Sequence, residues 1–274
     1  MRNKGKVMVD KSEKFNWLVR LGFAARGITY TMLGYIALGT GGEAKDGGAA
    51  VYDYFQEVPF GTPLLWLMAL GLLAYTAFRF LSAGLDIQNR GNDTQGLLKR
   101  VGDAASGVAH LFLAYACYQF ATGEKQDAGD GGGSQEMAGS VLSMDLGSLI
   151  IGAIGIGFLV GAFMQGKKAA TASFMKHISA RAPDAIKLVG RIGHAARAIV
   201  FALIGWSMVK GAWFESESQI KGLGEAILSL RDTGMLYTLV AVGLMMFGLF
   251  TLATARYRII PDIDANQIKA KMHS

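Results

Sequence analysis

Six stretches of about 20 apolar residues each constrain this chain more than any other feature, because a helix rising 1.5 Å per residue needs roughly that length to cross about 30 Å of hydrocarbon. They run from Trp17 to Leu38, Leu64 to Leu85, Val101 to Ala121, Leu146 to Gln165, Ile192 to Trp213 and Met235 to Thr254. In lipid every backbone N–H and C=O must find its partner inside the protein, so the pattern predicts an all-α polytopic membrane protein with six transmembrane helices. A composition of 51% apolar and 18% charged residues agrees. The leading "MRNKGKVMVDKSEKF" is polar and no small-residue cleavage site follows, so the first stretch is expected to persist as a helix.

The net charge of +6 does not point to nucleic acid, since the basic residues are spread over helix flanks without interleaved aromatics. Topology accounts for them. Lys and Arg number six up to Arg20, four from Arg79 to Arg100, six from Gly166 to Arg191 and four from Arg256 onward. The alternate loops are acidic, with Glu43, Asp46, Asp53, Glu57, Glu124, Asp127, Asp130, Glu136, Glu215 and Glu217. The positive-inside rule therefore predicts both termini in the cytoplasm and the acidic loops outside.

Aligned from Arg20, Arg100 and Arg191, three segments read "RLGFAARGITYTMLGY", "RVGDAASGVAHLFLAY" and "RIGHAARAIVFALIGW". Each continues through an outer loop, a short amphipathic piece and a second apolar stretch that starts after Gly61, Gly147 or Gly234. This is an internal repeat of one two-helix unit, over about 16–90, 91–170 and 171–258. The chain is completed by an N-terminal segment, 1–15, and a tail, 259–274. Two crossings return the chain to the same side, so the copies are parallel and a pseudo-threefold axis along the membrane normal is expected. The stripes Val51, Tyr54, Phe55, Val58; Met137, Val141, Met144; and Leu223, Ile227, Leu230 predict three short helices lying in the outer interface, with apolar faces toward the headgroups.

Through these three segments and the closing "ATARYRIIP" at Ala253 to Pro261, the chain resembles a bacterial integral membrane family catalogued as domain of unknown function 1206. The resemblance implies three tandem two-helix units in a bacterial plasma membrane and no established chemistry.

Residues four apart share a helix face. The repeat therefore aligns the stripes Gly22, Arg26, Tyr30; Gly102, Ser106, His110; and Gly193, Arg197, Phe201. Gly22, Gly102 and Gly193, with Gly34 and Gly205, read as helix-packing positions. If the stripes converge, Arg26 and Arg197 meet Asp103, Ser106 and His110 at the axis, where Asp103 is a candidate partner for the arginines. A charge in hydrocarbon costs about 3 kcal/mol on insertion scales, so the arginines must snorkel, pair or reach water. His194 is expected at the headgroup level. His110, His177, His194 and His273 lie in separate segments without metal-ligand spacing, Cys117 is the single cysteine, and no nucleophile elbow or phosphate loop occurs. No enzyme, metal or cofactor is expected. Two functions fit: a packed helical module binding membrane lipids, a membrane protein partner or its own copies, and a channel or transporter passing a small solute or anion along the axis.

Overall fold

The computed structural model describes residues 11–39, 55, 56, 59–86, 88, 90–123 and 132–259. It is all-α, and among the described residues the only β-type pairing is an isolated bridge between Ile178 and Arg258. The helices are α1 (Lys11–Gly39), α2 (Gly61–Gly84), α3 (Thr94–Thr122), α4 (Gly132–Leu142), α5 (Gly147–Thr171), α6 (Ala185–Trp213), α7 (Leu223–Leu228) and α8 (Met235–Tyr257). Local chemistry sets several ends. Asp93 caps α3 by accepting from the Gly96 N–H at 3.2 Å, and Gly123, at φ +82°, closes the same helix in the left-handed conformation.

Four helices, α2, α5, α6 and α8, are long and apolar enough to cross a membrane by length and composition. The chain is thus a membrane protein by this criterion. The other two long helices, α1 and α3, have 29 residues each but interleave polar groups, among them Arg20 and Arg26 in one and Asp103 and His110 in the other.

Packing follows the repeat in an unequal way. The most extensive contacts join α2 to α3, α5 to α6 and α8 to α1, so each unit's second helix lies against the next unit's first. Within units, α1 crosses α2 and α6 crosses α8, whereas α3 and α5 have no comparable crossing. The helices therefore run α3, α2, α1, α8, α6, α5 around the bundle, with a seam between the two ends.

Three arginines at one repeat position tie the close pairs together. Arg20 donates to the carbonyls of Ala255 (2.7 Å) and Arg256 (2.6 Å), Arg100 to those of Ala83 (2.7 Å) and Gly84 (2.9 Å), and Arg191 to those of Ala169 (2.8 Å) and Ala170 (3.3 Å). Each guanidinium thereby satisfies carbonyls that the end of α8, α2 or α5 leaves without an intrahelical partner, and sits at the negative pole of that helix.

Glycines set the crossings. A Cβ added at Gly22 would stand 2.6 Å from the Tyr75 Cβ and 2.7 Å from the Gly71 carbonyl, and one at Gly193 would stand 2.5 Å from the Phe247 Cα. Gly34 faces the Ala241 carbonyl at 2.6 Å, and Gly205 that of Gly155 at 2.8 Å. Gly102, expected to pack likewise, is exposed and meets nothing within 4 Å, because α5 does not cross α3 there.

The bundle is filled differently at its two ends. Toward the acidic loops, Leu33, Leu65, Leu72, Cys117, Val240 and Leu244 form one apolar cluster. Phe55, Ile227 and Leu230 belong to it too, so these stripe residues plug the bundle instead of presenting a free apolar face to headgroups. Val51, Tyr54 and Val58 and the side chain of Met137 lie outside the described residues; Val141 is half-buried, and Met144 lies exposed beyond the end of α4. Toward the basic loops the interior turns polar.

Candidate functional site

Arg26 and Arg197 come from the same repeat position on α1 and α6, and both are buried, at 8% exposure. They flank a pair of rings, Tyr30 and Phe247, packed edge to face at 5.0 Å. The Arg26 guanidinium carbon lies 5.7 Å from the Tyr30 ring centre and 5.1 Å from that of Phe247; for Arg197 the distances are 5.2 and 4.4 Å, with Phe201 at 4.6 Å. The sequence expectation that the arginine stripes approach one another describes the geometry. Asp103, the candidate partner that the sequence offers, does not neutralise them.

Asp103 instead belongs to Arg79 of α2, 2.5 Å away, and to Arg90, 2.9 Å away. Arg79 also donates through Nε to the Tyr75 hydroxyl at 2.8 Å, and that oxygen accepts from Arg26 Nη1 at 2.9 Å. Tyr75 thus occupies its lone pairs with two arginines. The cause is the packing of α3: its extensive contact is with α2, and Arg79, one turn beyond Tyr75 on that helix, takes the carboxylate that the arginines of α1 and α6 do not reach.

The consequence is an imbalance of charge. Among the described residues Arg197 makes no hydrogen bond or ion pair, and its Nε is wholly enclosed. The Arg26 Nε is enclosed and unpaired as well. Lys168, in the last turn of α5, feels the charges of Arg197, Arg79 and Arg26, and among the described residues no acid pairs with it. Aromatic faces offset part of the burial, each by about 0.5–2 kcal/mol. They offer no acceptor for the N–H groups of a guanidinium.

His110 and Ser106 complete the wall from α3. The His110 Nδ1 donates to the Ser106 carbonyl at 2.6 Å, and its ring lies 4.7 Å from that of Tyr75. Ser106 is half-buried. His194, expected at the headgroup level, is buried within the protein, bonded through Nδ1 to the Gln165 side chain at 2.6 Å and packed against Phe174, Phe247 and Phe250. Asp103 with Arg79 and His194 with Gln165 are the same pair of repeat positions. Aligning the second helices from Gly71, Gly157 and Gly243 would have found Arg79 and Gln165, and also Tyr75, Gly161 and Phe247, which receive His110, Phe201 and Tyr30 respectively. Among the described residues no three His, Cys, Asp or Glu side chains gather as metal ligands.

Three stretches of the chain, 21–86, 101–172 and 192–258, match the family described as Domain of Unknown Function (DUF1206). The chain belongs to this family. The three matches coincide with the three helical units whose arginine caps and ring contacts recur above. It is also similar, at 30% identity over 263 residues, to the uncharacterized protein YxxB of Bacillus subtilis (strain 168), an alignment spanning 90% of this chain and 94% of that one. No solved structure matches.

Proposed function

We propose that the protein is a non-enzymatic membrane module that binds an anion at the arginine pair. In this reading six helices span a bacterial plasma membrane as three parallel units about an axis along the membrane normal, with both termini cytoplasmic. The observation that carries it is Arg197: a guanidinium buried at 8% exposure and, among the described residues, without a hydrogen-bond or ion-pair partner, on the same Phe247 ring as Arg26, while the Asp103 carboxylate is shared between Arg79 and Arg90. A buried charge is retained where something compensates it, and an anion placed there gains charge-assisted hydrogen bonds from a pre-formed fork. The repeat supports the axis, since the same arginine caps and the same ring-on-helix contacts recur at the three close pairs.

Binding is favoured over an open path because Leu33, Leu65, Leu72 and Leu244 fill the bundle between the arginines and the acidic loops. The test is thiol accessibility in vesicles, in a Cys117→Ala background with single cysteines at Tyr30, His110, Phe201 and Leu72. Labelling from the basic side at the first three positions, slowed by an added anion, with none at Leu72, is the expected result. Labelling at Leu72 from the acidic side would replace binding with a through path, and none at any position would leave the arginines purely structural.

A further inference from the structure

The cluster around Arg197 is enclosed by helix crossings on every side except one. Crossings of α1 with α2, α1 with α8 and α6 with α8 close three sides, and the pairs α2 with α3 and α5 with α6 extend the wall. Only between α3 and α5 is a crossing missing. The sequence nevertheless provides for one: Gly102 and Gly157 occupy the positions of Gly22 with Gly71 and of Gly193 with Gly243, whose backbones meet closely. A Cβ at either Gly102 or Gly157 would meet nothing within 4 Å. The helix faces that carry these two glycines hold exposed Ala105, Ala109 and Phe112 on α3 and exposed Ile154 and Val160 on α5. Lys168 lies three turns beyond Gly157 on the same face of α5, toward the basic end.

A groove that is apolar along its length, opens sideways into the hydrocarbon and ends at unpartnered cations complements an amphiphile with an anionic head. Inorganic anions would not need the seam, and a protein helix would bring no charge for Arg197 unless it buried an acid. We infer that the α3–α5 seam is a binding groove for an anionic glycerophospholipid, its phosphate held by Arg197 and Lys168 and one acyl chain lying along Gly102 and Gly157. This rests on the reading of the arginine pair as an anion site and adds the ligand's class and route of entry. The lipid completes the side of the bundle that the second repeat leaves open.

The test uses the full chain in detergent, stripped of lipid, with native mass spectrometry to count bound lipid and thermal melting to follow binding. Probes are phosphatidylglycerol, phosphatidylcholine and inorganic phosphate. Wild type is expected to retain one phosphatidylglycerol and to melt higher with it, and to respond to phosphatidylcholine at least about tenfold more weakly, as befits loss of a charge-assisted contact. Arg197→Gln should lose the preference. Gly157→Trp and Gly102→Trp, placed on opposite walls of the seam at positions where an added Cβ meets nothing within 4 Å, should lose phosphatidylglycerol but keep whatever response phosphate gives. Selective binding that both kinds of variant remove sustains the inference, whether or not phosphate binds by itself. Equal retention of both lipids, phosphatidylglycerol binding unchanged in the two tryptophan variants, or a seam that proves to be a contact between two copies would overturn it. A phosphate response that Arg197→Gln removes, without lipid selectivity, would overturn the lipid and spare the anion site. No response to either probe would remove both.

Discussion

The first and second helices of units one and three cross at glycine, while those of unit two do not, although all three units carry glycine at both positions. The contrast lies in what surrounds each pair. α1 and α6 each have two substantial neighbours and are held by packing; α3 has α2 alone, and α5 has chiefly α6. The less supported helices carry the polar ties: Asp103 of α3 joins Arg79, and Gln165 of α5 joins His194. On α1 the equivalent position is Phe23, packed against Tyr75 and Phe78, while on α6 it is the His194 that receives the tie from α5. A shared motif thus permits a close crossing without enforcing one, and polar contacts take over where packing is thin.

Breaking the polar tie should have the largest effect. Asp103→Ala leaves Arg79 and Arg90 without their carboxylate in a buried site, which typically costs about 3 kcal/mol or more. It should lower the melting temperature in detergent markedly and release α3, read as faster hydrogen exchange over 94–122. An unchanged melting temperature would mean that α3 is held by packing after all.

The glycine contrast can be tested directly. Gly22→Leu and Gly193→Leu each drive a side chain into a neighbouring backbone and should destabilise by about 1–3 kcal/mol, the usual range for overpacking. Gly102→Leu should change the melting temperature little, since its Cβ meets open space. Equal losses at all three positions would indicate that the seam closes in the membrane.

A smaller effect is expected from the arginine caps, which recur in all three units and so should not distinguish the second. Arg100→Ala removes donors from the Ala83 and Gly84 carbonyls and a cation from the end of α2, for about 0.5–1 kcal/mol. A much larger loss here than for Arg20→Ala would show that the second unit depends on its cap more than its sisters do.

The smallest effect comes from the connection between α5 and α6, which flanks the seam's basic end. There burial, aided by the charges of Arg258 and Lys176, pushes His177 down to about 4 from its ordinary 6.5. The unfolded chain therefore binds a proton in this window that the folded one refuses. Stability should be intact above pH 6.5 and decline as pH falls from there toward 4, by a modest amount because His177 is only half-buried. His177→Gln should flatten that slope; a slope unchanged by the substitution would assign it elsewhere.

Much of this architecture was legible without coordinates. Apolar length, the recurrence of "RLGFAARG" and its two relatives, and the alternation of basic and acidic loops are properties of local sequence, and they specify long helices, three units and the placing of Arg26 and Arg197 on equivalent faces. The interfacial pieces were legible only as stripes. That Phe55, Ile227 and Leu230 turn inward to plug the bundle depends on the space left between helices, which no stripe records.

What the sequence by itself determined is the period: which residues share a face, and which positions correspond between units. What only the tertiary structure decided is partnership. Asp103 is aligned with Phe23 and His194, and nothing in that register says that it meets Arg79 and leaves Arg197 unpaired, because an ion pair is fixed by the distance between side chains on different helices. The open seam was equally hidden. Gly102 is indistinguishable from Gly22 and Gly193 in sequence, and a glycine specifies how near a neighbour can come, while the neighbours' own packing decides whether one does.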